Sequence, residues 1–153
     1  MVNWLNHSEQ VAWRAFLTGQ ARILEAINQD MVNDSGLTLN EYEVLVRLSE
    51  SPNRMLRMST LADNLVHSRS RLTHTVKRLE EIGYVCRTRC PQDRRGIICQ
   101  LTDKGYAKLE KAAPMHVESV RRNMVSRFTT EEFLALGELF TRITGPIEVP
   151  VAQ

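Results

Sequence analysis

The chain has 153 residues, 42% hydrophobic and 25% charged, with a formal net charge of +2. That length suits one domain, or one domain with an extension, and the composition excludes wholesale disorder. No apolar run approaches the ~20 residues of a membrane span, and Met1 to Ser8 lack the basic-then-apolar order of a secretory signal.

From Ser8 to Met31, apolar residues recur at Trp13, Phe16, Leu17, Leu24, Ile27 and Met31, the spacing of one helical stripe. Asn33-Asp34-Ser35-Gly36 should end it. Thr38-Leu39-Asn40-Glu41 spells a capping box, opening a helix with Tyr42, Leu45 and Leu48 inward that stops near Ser51-Pro52. Ser59 can cap a short helix carrying Leu61, Ala62 and Leu65. Val66-His67-Ser68 interrupts it, and Ser68 can cap a second helix with Leu72, Val76, Leu79 and Ile82 on one face. Gly83 is placed to stop that helix. Two helices joined by so short a turn suggest a helix-turn-helix.

The period then changes. Tyr84 to Arg89 and Ile97 to Leu101 read as strands around a turn, Pro91-Gln92-Asp93-Arg94-Arg95-Gly96, making a hairpin with a basic tip. Helix resumes at Thr102 and carries Tyr106, Leu109, Ala113, Val117, Val120, Met124 and Phe128, with Pro114 expected to kink it or mark a junction. Thr129-Thr130-Glu131-Glu132 opens a last helix with Phe133, Leu136, Phe140 and Ile143, ended by Gly145-Pro146. The long outer stripes exceed what one small domain must cover, which suggests partner helices from a second copy of the chain.

Charge is unevenly spread over these elements. Residues 1–53 carry −4, residues 54–108 carry +7 and residues 109–153 carry −1. A basic centre between near-neutral or acidic flanks points to a polyanionic partner. Cys86, Cys90 and Cys99, an odd number in a chain with core enough to fold without staples, suit a reducing cytoplasm better than a disulfide framework.

The residues Met58-Ser59-Thr60-Leu61-Ala62-Asp63, Ser68-Arg69-Ser70-Arg71-Leu72-Thr73-His74-Thr75-Val76-Lys77-Arg78-Leu79-Glu80, Gly83-Tyr84-Val85, Asp93-Arg94-Arg95-Gly96 and Leu101-Thr102-Asp103-Lys104-Gly105 resemble the MarR family of bacterial transcriptional regulators. The D-x-R wing followed by LT-x-x-G is the most diagnostic part. The SRSRLTH spelling, with Ala113-Pro114-x-His116, looks like an actinobacterial branch. One departure lies at the wing, where many relatives carry D-P-R before the residue matching Asp93 and this chain has Cys90-Pro91-Gln92.

The resemblance implies a mainly α fold with a small β-hairpin. It implies a single MarR-type domain over 1–153, a winged helix-turn-helix lobe at 54–105, and dimerisation helices at 8–32 and 104–145. The implied function is a homodimeric repressor that binds a pseudo-palindromic operator in double-stranded DNA, with half-sites ~10 bp apart. It is neither an enzyme nor a cofactor protein. Ser68, Arg69, Ser70, Arg71, Thr73 and His74 would face base edges in the major groove, with Lys77 and Arg78 on phosphates. Arg95, with Arg94, would enter the minor groove, and by the family's pattern Asp93 pairs with the arginine two residues on. Plainer roles stand beside these: a solvated cap for the Ser/Arg helix start, and a turn-forming Asp with two solvated Arg for the wing.

Control has two candidates. Relatives often bind a small aromatic acid or phenol, for which Trp13, Arg14, Tyr42 and His116 offer an aromatic wall, a carboxylate partner, a phenol and an imidazole. Each also has an ordinary role: Trp13 in the core stripe, Arg14 as a solvated or salt-bridged arginine, Tyr42 in the core, His116 hydrogen-bonded on its helix. Alternatively, oxidation acts at the wing, through Cys90 beside Arg89, Arg94 and Arg95, since positive charge favours thiolate. Cys99 shares strand parity with Ile97 and Leu101 and reads as buried packing, as can Cys86. The cysteine spacings match no zinc pattern. A Cys90 nucleophile with His67 or His74 as base would lack an oxyanion loop and a phosphate cradle. A winged-helix module that binds protein instead of DNA is the remaining alternative.

Overall fold

A computed structural model describes residues 1–65 and 68–150. Val66 and His67, the centre of the expected helix-turn-helix interruption, lie outside the described residues, and so do residues 151–153.

Helix α1 spans His7–Ser35, longer at both ends than its apolar stripe. Asn6 caps it in a box with Glu9, and Gly36, at φ 73°, stops it in the left-handed conformation. Asn33-Asp34-Ser35 are therefore helical rather than a loop, with the Ser35 hydroxyl donating to the Met31 carbonyl at 2.7 Å. Helix α2, Leu39–Ser49, starts at the Thr38/Glu41 capping box and buries Tyr42, Leu45 and Leu48 as their spacing predicts. Strand β1, Met55–Arg57, follows a 3₁₀ turn at Pro52–Arg54. It runs directly into α3, Met58–Leu65, so Ser59 lies inside the first turn and not at a cap.

Helix α4 spans Arg69–Ile82, between an N-cap at Ser68 and left-handed Gly83. Leu72, Val76 and Leu79 are buried with Thr75, while Ile82, expected on the same face, is exposed. Strands β2, Val85–Cys90, and β3, Asp93–Leu101, pair antiparallel around a turn of only Pro91 and Gln92. Arg94, Arg95 and Gly96 belong to β3, not to the turn. Arg89 pairs with Ile97 and Cys90 with Asp93, so those three residues bulge without partners. Gly96 suits this bulge, because an added Cβ would lie 3.2 Å from the Cys90 Cβ and 3.4 Å from Arg57 Nη1. The sheet order is β1-β3-β2, with Leu56 opposite Cys99 and Arg57 opposite Ile98.

Helix α5, Asp103–Asn123, runs across Pro114 without ending there. It stops five residues short of the expected Phe128, and a 3₁₀ turn at Val125–Arg127 leads to α6, Thr130–Thr144, opened by the Thr129/Glu132 capping box. The Ile27 and Met31 end of α1 joins the core formed by α2, α3, α4, the sheet and the first half of α5. Asp30 ties α1 to α5 by accepting from Ser119 (2.6 Å), Arg122 (2.7 Å) and Asn123 (2.8 Å) on one oxygen. No helix among the described residues is long and apolar enough to cross a membrane. The fold is mainly helical, with a small three-stranded antiparallel sheet.

Candidate nucleic-acid interface

The N-terminal turns of α4 divide cleanly. Leu72, Thr75, Val76 and Leu79 are buried, whereas Ser68, Arg69, Ser70, Arg71, Thr73, His74 and Lys77 are exposed on the other arc. Burying an aliphatic stripe is what fixes which way the polar arc faces. The Ser68 hydroxyl accepts from the Arg71 backbone N–H (3.3 Å), so the first turn is held in register. Thr73 donates its hydroxyl proton to the Arg69 carbonyl (2.8 Å), which leaves its oxygen to accept from an outside donor. Arg78 turns toward α2, its Nε 2.8 Å from Glu41. Glu41 is only 3% exposed and also accepts from the Thr38 N–H at 2.8 Å. Part of the Arg78 guanidinium is thus committed to the α2 cap before any phosphate is considered.

Arg94 and Arg95 are exposed on the wing bulge. Asp93 holds the bulge through its carboxylate, which accepts from the Arg95 backbone N–H at 3.0 Å. The guanidinium that Asp93 meets is that of Arg57, at 3.6 Å, and not that of Arg95. The expected Asp93–Arg95 side-chain pair is therefore replaced by a backbone contact plus an arginine from β1. On the α4 side of the sheet, Arg87 clamps Glu80 through its backbone N–H (3.0 Å), Nε (3.0 Å) and Nη2 (2.7 Å). Those bonds hold the Glu80 carboxyl below the usual carboxylate range. Arg57, Arg69, Arg87 and Arg95 line one open cleft between α4 and the wing. Arg57 and Arg87 escape sequence reasoning, because β1 is too short to show a period and a single strand arginine carries no motif.

The other candidates disperse. Cys90 is 5% exposed, and the cation that reaches its sulfur is Arg57, whose Nη2 donates at 3.4 Å. Cys99 is fully buried, and its thiol is pushed up to about 12, chiefly by burial and then by Cys86. Ile97, expected to share that buried face, is 44% exposed. His74 lies on the exposed arc of α4, and His67 is outside the described residues. Among the described residues no cluster of His, Cys, Asp and Glu could hold a metal ion.

Tyr42 and His116 do meet, with ring centroids 4.4 Å apart. Among the described residues His116 Nδ1, which is buried, has no hydrogen-bond partner, and burial lowers the imidazole pKa. Burial, then Glu50, raises that of Tyr42. Trp13 instead stacks on Phe16 at 5.9 Å, and Phe16 meets Phe140 at 5.8 Å. Trp13 is 51% exposed, so it does not belong to a core within one chain. Arg14 is exposed beside it. The stripe residues Trp13, Phe16, Leu17 and Leu24 of α1 are all exposed.

A model of the MarR family matches residues 37–97, from the start of α2 to the wing. Sco3205 of Streptomyces coelicolor, a MarR family transcriptional regulator solved in complex with DNA, is 39% identical. It superimposes with a TM-score of 0.88 over 94% of this chain and 90% of that one. The chain belongs to the MarR family. Among curated MarR-type relatives, the transcriptional regulator PecS of Dickeya dadantii is 32% identical over 108 residues, 70% of this chain but only 64% of PecS. The transcriptional repressor MprA of Escherichia coli is 27% identical over 126 residues, 82% of this chain and 71% of MprA. These relatives are transcriptional regulators, not enzymes.

Proposed function

We propose that this MarR family member is a cytoplasmic, homodimeric transcriptional repressor that binds a pseudo-palindromic operator in double-stranded DNA. The observation that carries the reading is the convergence of the exposed α4 arc and the wing on one arginine-lined cleft. In this reading the N-terminal turns of α4 enter the major groove. Arg69 and Arg71 suit guanine edges, and Ser68, Ser70, Thr73 and His74 add polar contacts. Lys77 and the free part of Arg78 reach phosphates, while Arg95, with Arg94, enters the adjacent minor groove. Support also comes from Sco3205, solved with DNA, and from MprA, described as a repressor.

Residues 54–105 form the DNA-binding lobe of the single domain, and 8–32 and 104–145 the dimerisation helices. The exposed apolar residues of α1 and α6, Trp13, Phe16, Leu139 and Phe140 among them, supply the dimer surface. A small aromatic or phenolic ligand near Tyr42 and His116 releases the DNA by favouring one wing spacing over another. The wing thiol is the alternative trigger. The Arg57–Cys90 contact favours it and the burial of Cys90 opposes it.

The test is an anisotropy titration on the duplex upstream of the chain's own gene. Arg95→Ala should leave the fold intact and weaken binding about fivefold or more, the loss of one good groove contact worth ~1–3 kcal/mol. Unchanged affinity at physiological salt removes Arg95 from the site. Failure to bind any duplex, with tight capture of a protein instead, supports the interaction module.

A further inference from the structure

Between α4 and the wing the cleft encloses about 270 Å³. Its polar lining is Arg57 from β1, Ser59 from α3, Arg69 and Thr73 from α4, Arg87 from β2 and Arg95 from β3. Two carboxylates meet these four guanidinium groups. Glu80 is clamped by Arg87 at 2.7 Å, and Asp93 lies a loose 3.6 Å from Arg57 in a solvent-exposed pair. Among the described residues, Arg69 and Arg95 have no ion pair. The concave surface therefore keeps an excess of positive charge, which focuses potential onto whatever anion enters it.

A simple consequence of duplex geometry says which anion that is. An element in the major groove and one in the adjacent minor groove straddle a single sugar–phosphate strand. If α4 and Arg95 occupy those grooves, as proposed above, that strand must pass through the space between them. We propose that the cleft is the seat of this strand, and that Arg57, which shares the cleft lining with Ser59, binds one of its phosphodiesters.

Arg57 suits the task. A guanidinium has five N–H donors; Nη2 donates to Cys90 Sγ at 3.4 Å, Nη1 faces Asp93, and the other donors have no partner among the described residues. The thiol and carboxylate orient the group without neutralising it through a tight bidentate pair, in contrast to Glu80 on Arg87. Asp93 also accepts from the Arg95 backbone, so one carboxylate sets the phosphate contact and the minor-groove contact at a fixed spacing. A phosphate on Arg57 would thus position the wing rather than read a base.

The test uses a duplex retained by the wild-type chain from a randomised pool. Neutralising one phosphate contact flattens the dependence of log K on log salt by about 0.9. The advantage of wild type over Arg57→Ala should therefore shrink by about 3.5-fold between 50 and 200 mM salt, by the same factor on operator and on unrelated duplex. Arg57→Ala could also loosen the wing, so the DNA is altered as well. A methylphosphonate at the phosphate between the two grooves should weaken the wild type and leave Arg57→Ala unaffected. An unchanged salt slope, or methylphosphonate losses equal in both proteins, overturns the inference while leaving the reading of helix and wing standing. A chain that retains no duplex overturns both.

Discussion

Replacing Gly105 by alanine tests the junction on which the wing and α5 both depend. Gly105 is buried in the first turn of α5, and an added Cβ would press well inside contact distance of the Tyr84 carbonyl oxygen. It would also lie 2.8 Å from Leu101 Cδ1 and 2.9 Å from the Tyr84 carbonyl carbon. Carbon atoms pack best at about 3.5–4.0 Å, so the helix start must retreat by about 1 Å. The Tyr84 carbonyl has little freedom to yield, because it accepts from the Thr102 N–H (3.1 Å) and shares with the Gly83 carbonyl (2.7 Å) the Thr102 hydroxyl, 3.1 Å away. Thr102 in turn caps α5 through the Gly105 N–H at 3.0 Å. Overpacking costs about 1–3 kcal/mol, and disturbing the cap adds about 1. The better helix propensity of alanine returns about 1. The net loss should be about 2 kcal/mol, or about 4–8 °C in Tm for a chain of this length. Urea and thermal unfolding followed by circular dichroism, at one protein concentration for both chains, measure it. A Gly105→Ala chain within about 0.5 kcal/mol of wild type, the size of an ordinary surface substitution, would refute the packing at this junction.

Gly83→Ala should cost about 1–2 kcal/mol by the same unfolding assay, since the residue sits at φ 87° and closes α4. The Asp30 carboxyl is held below its usual range, first by the Ser119 hydroxyl and then by Arg122. A carboxylate with a depressed folded pKa stabilises above its unfolded value and ceases to as pH falls, so the gap between wild type and Asp30→Asn should narrow below about pH 4. A gap that is flat with pH contradicts that assignment. The wild type should sediment as a dimer at micromolar concentration, and Phe16→Glu, in the exposed aromatic cluster with Trp13 and Phe140, should shift it toward monomer. A monomeric wild type removes the proposed twofold arrangement on DNA.

Local chemistry was legible in the sequence. The capping boxes at Thr38/Glu41 and Thr129/Glu132, the Ser68 cap and the Gly83 stop all stand where their spelling puts them. Such signals act within one helical turn, so neighbouring residues suffice to specify them. The apolar stripes of α2 and α4 were equally plain, Ile82 apart, because periodicity reports a buried face. In α1 the stripe was just as regular, yet Trp13, Phe16 and Leu17 are exposed; periodicity marks an apolar face and does not say what covers it.

What only the tertiary structure decided are contacts between residues far apart in the chain. Strand β1 exists because Leu56 and its neighbours find partners on β3, and three residues carry no pattern of their own. The wing bulge replaces a six-residue turn because Asp93 has two partners to satisfy, the Arg95 backbone and Arg57. Sequence composition placed a charge of +7 in residues 54–108 without giving it a shape. Folding turns part of that charge into a cleft, by setting Arg57 and Arg87 beside Arg69 and Arg95. Charge is a property of residues, but its concentration on one concave surface depends on long-range packing, and that is where the proposed DNA contact resides.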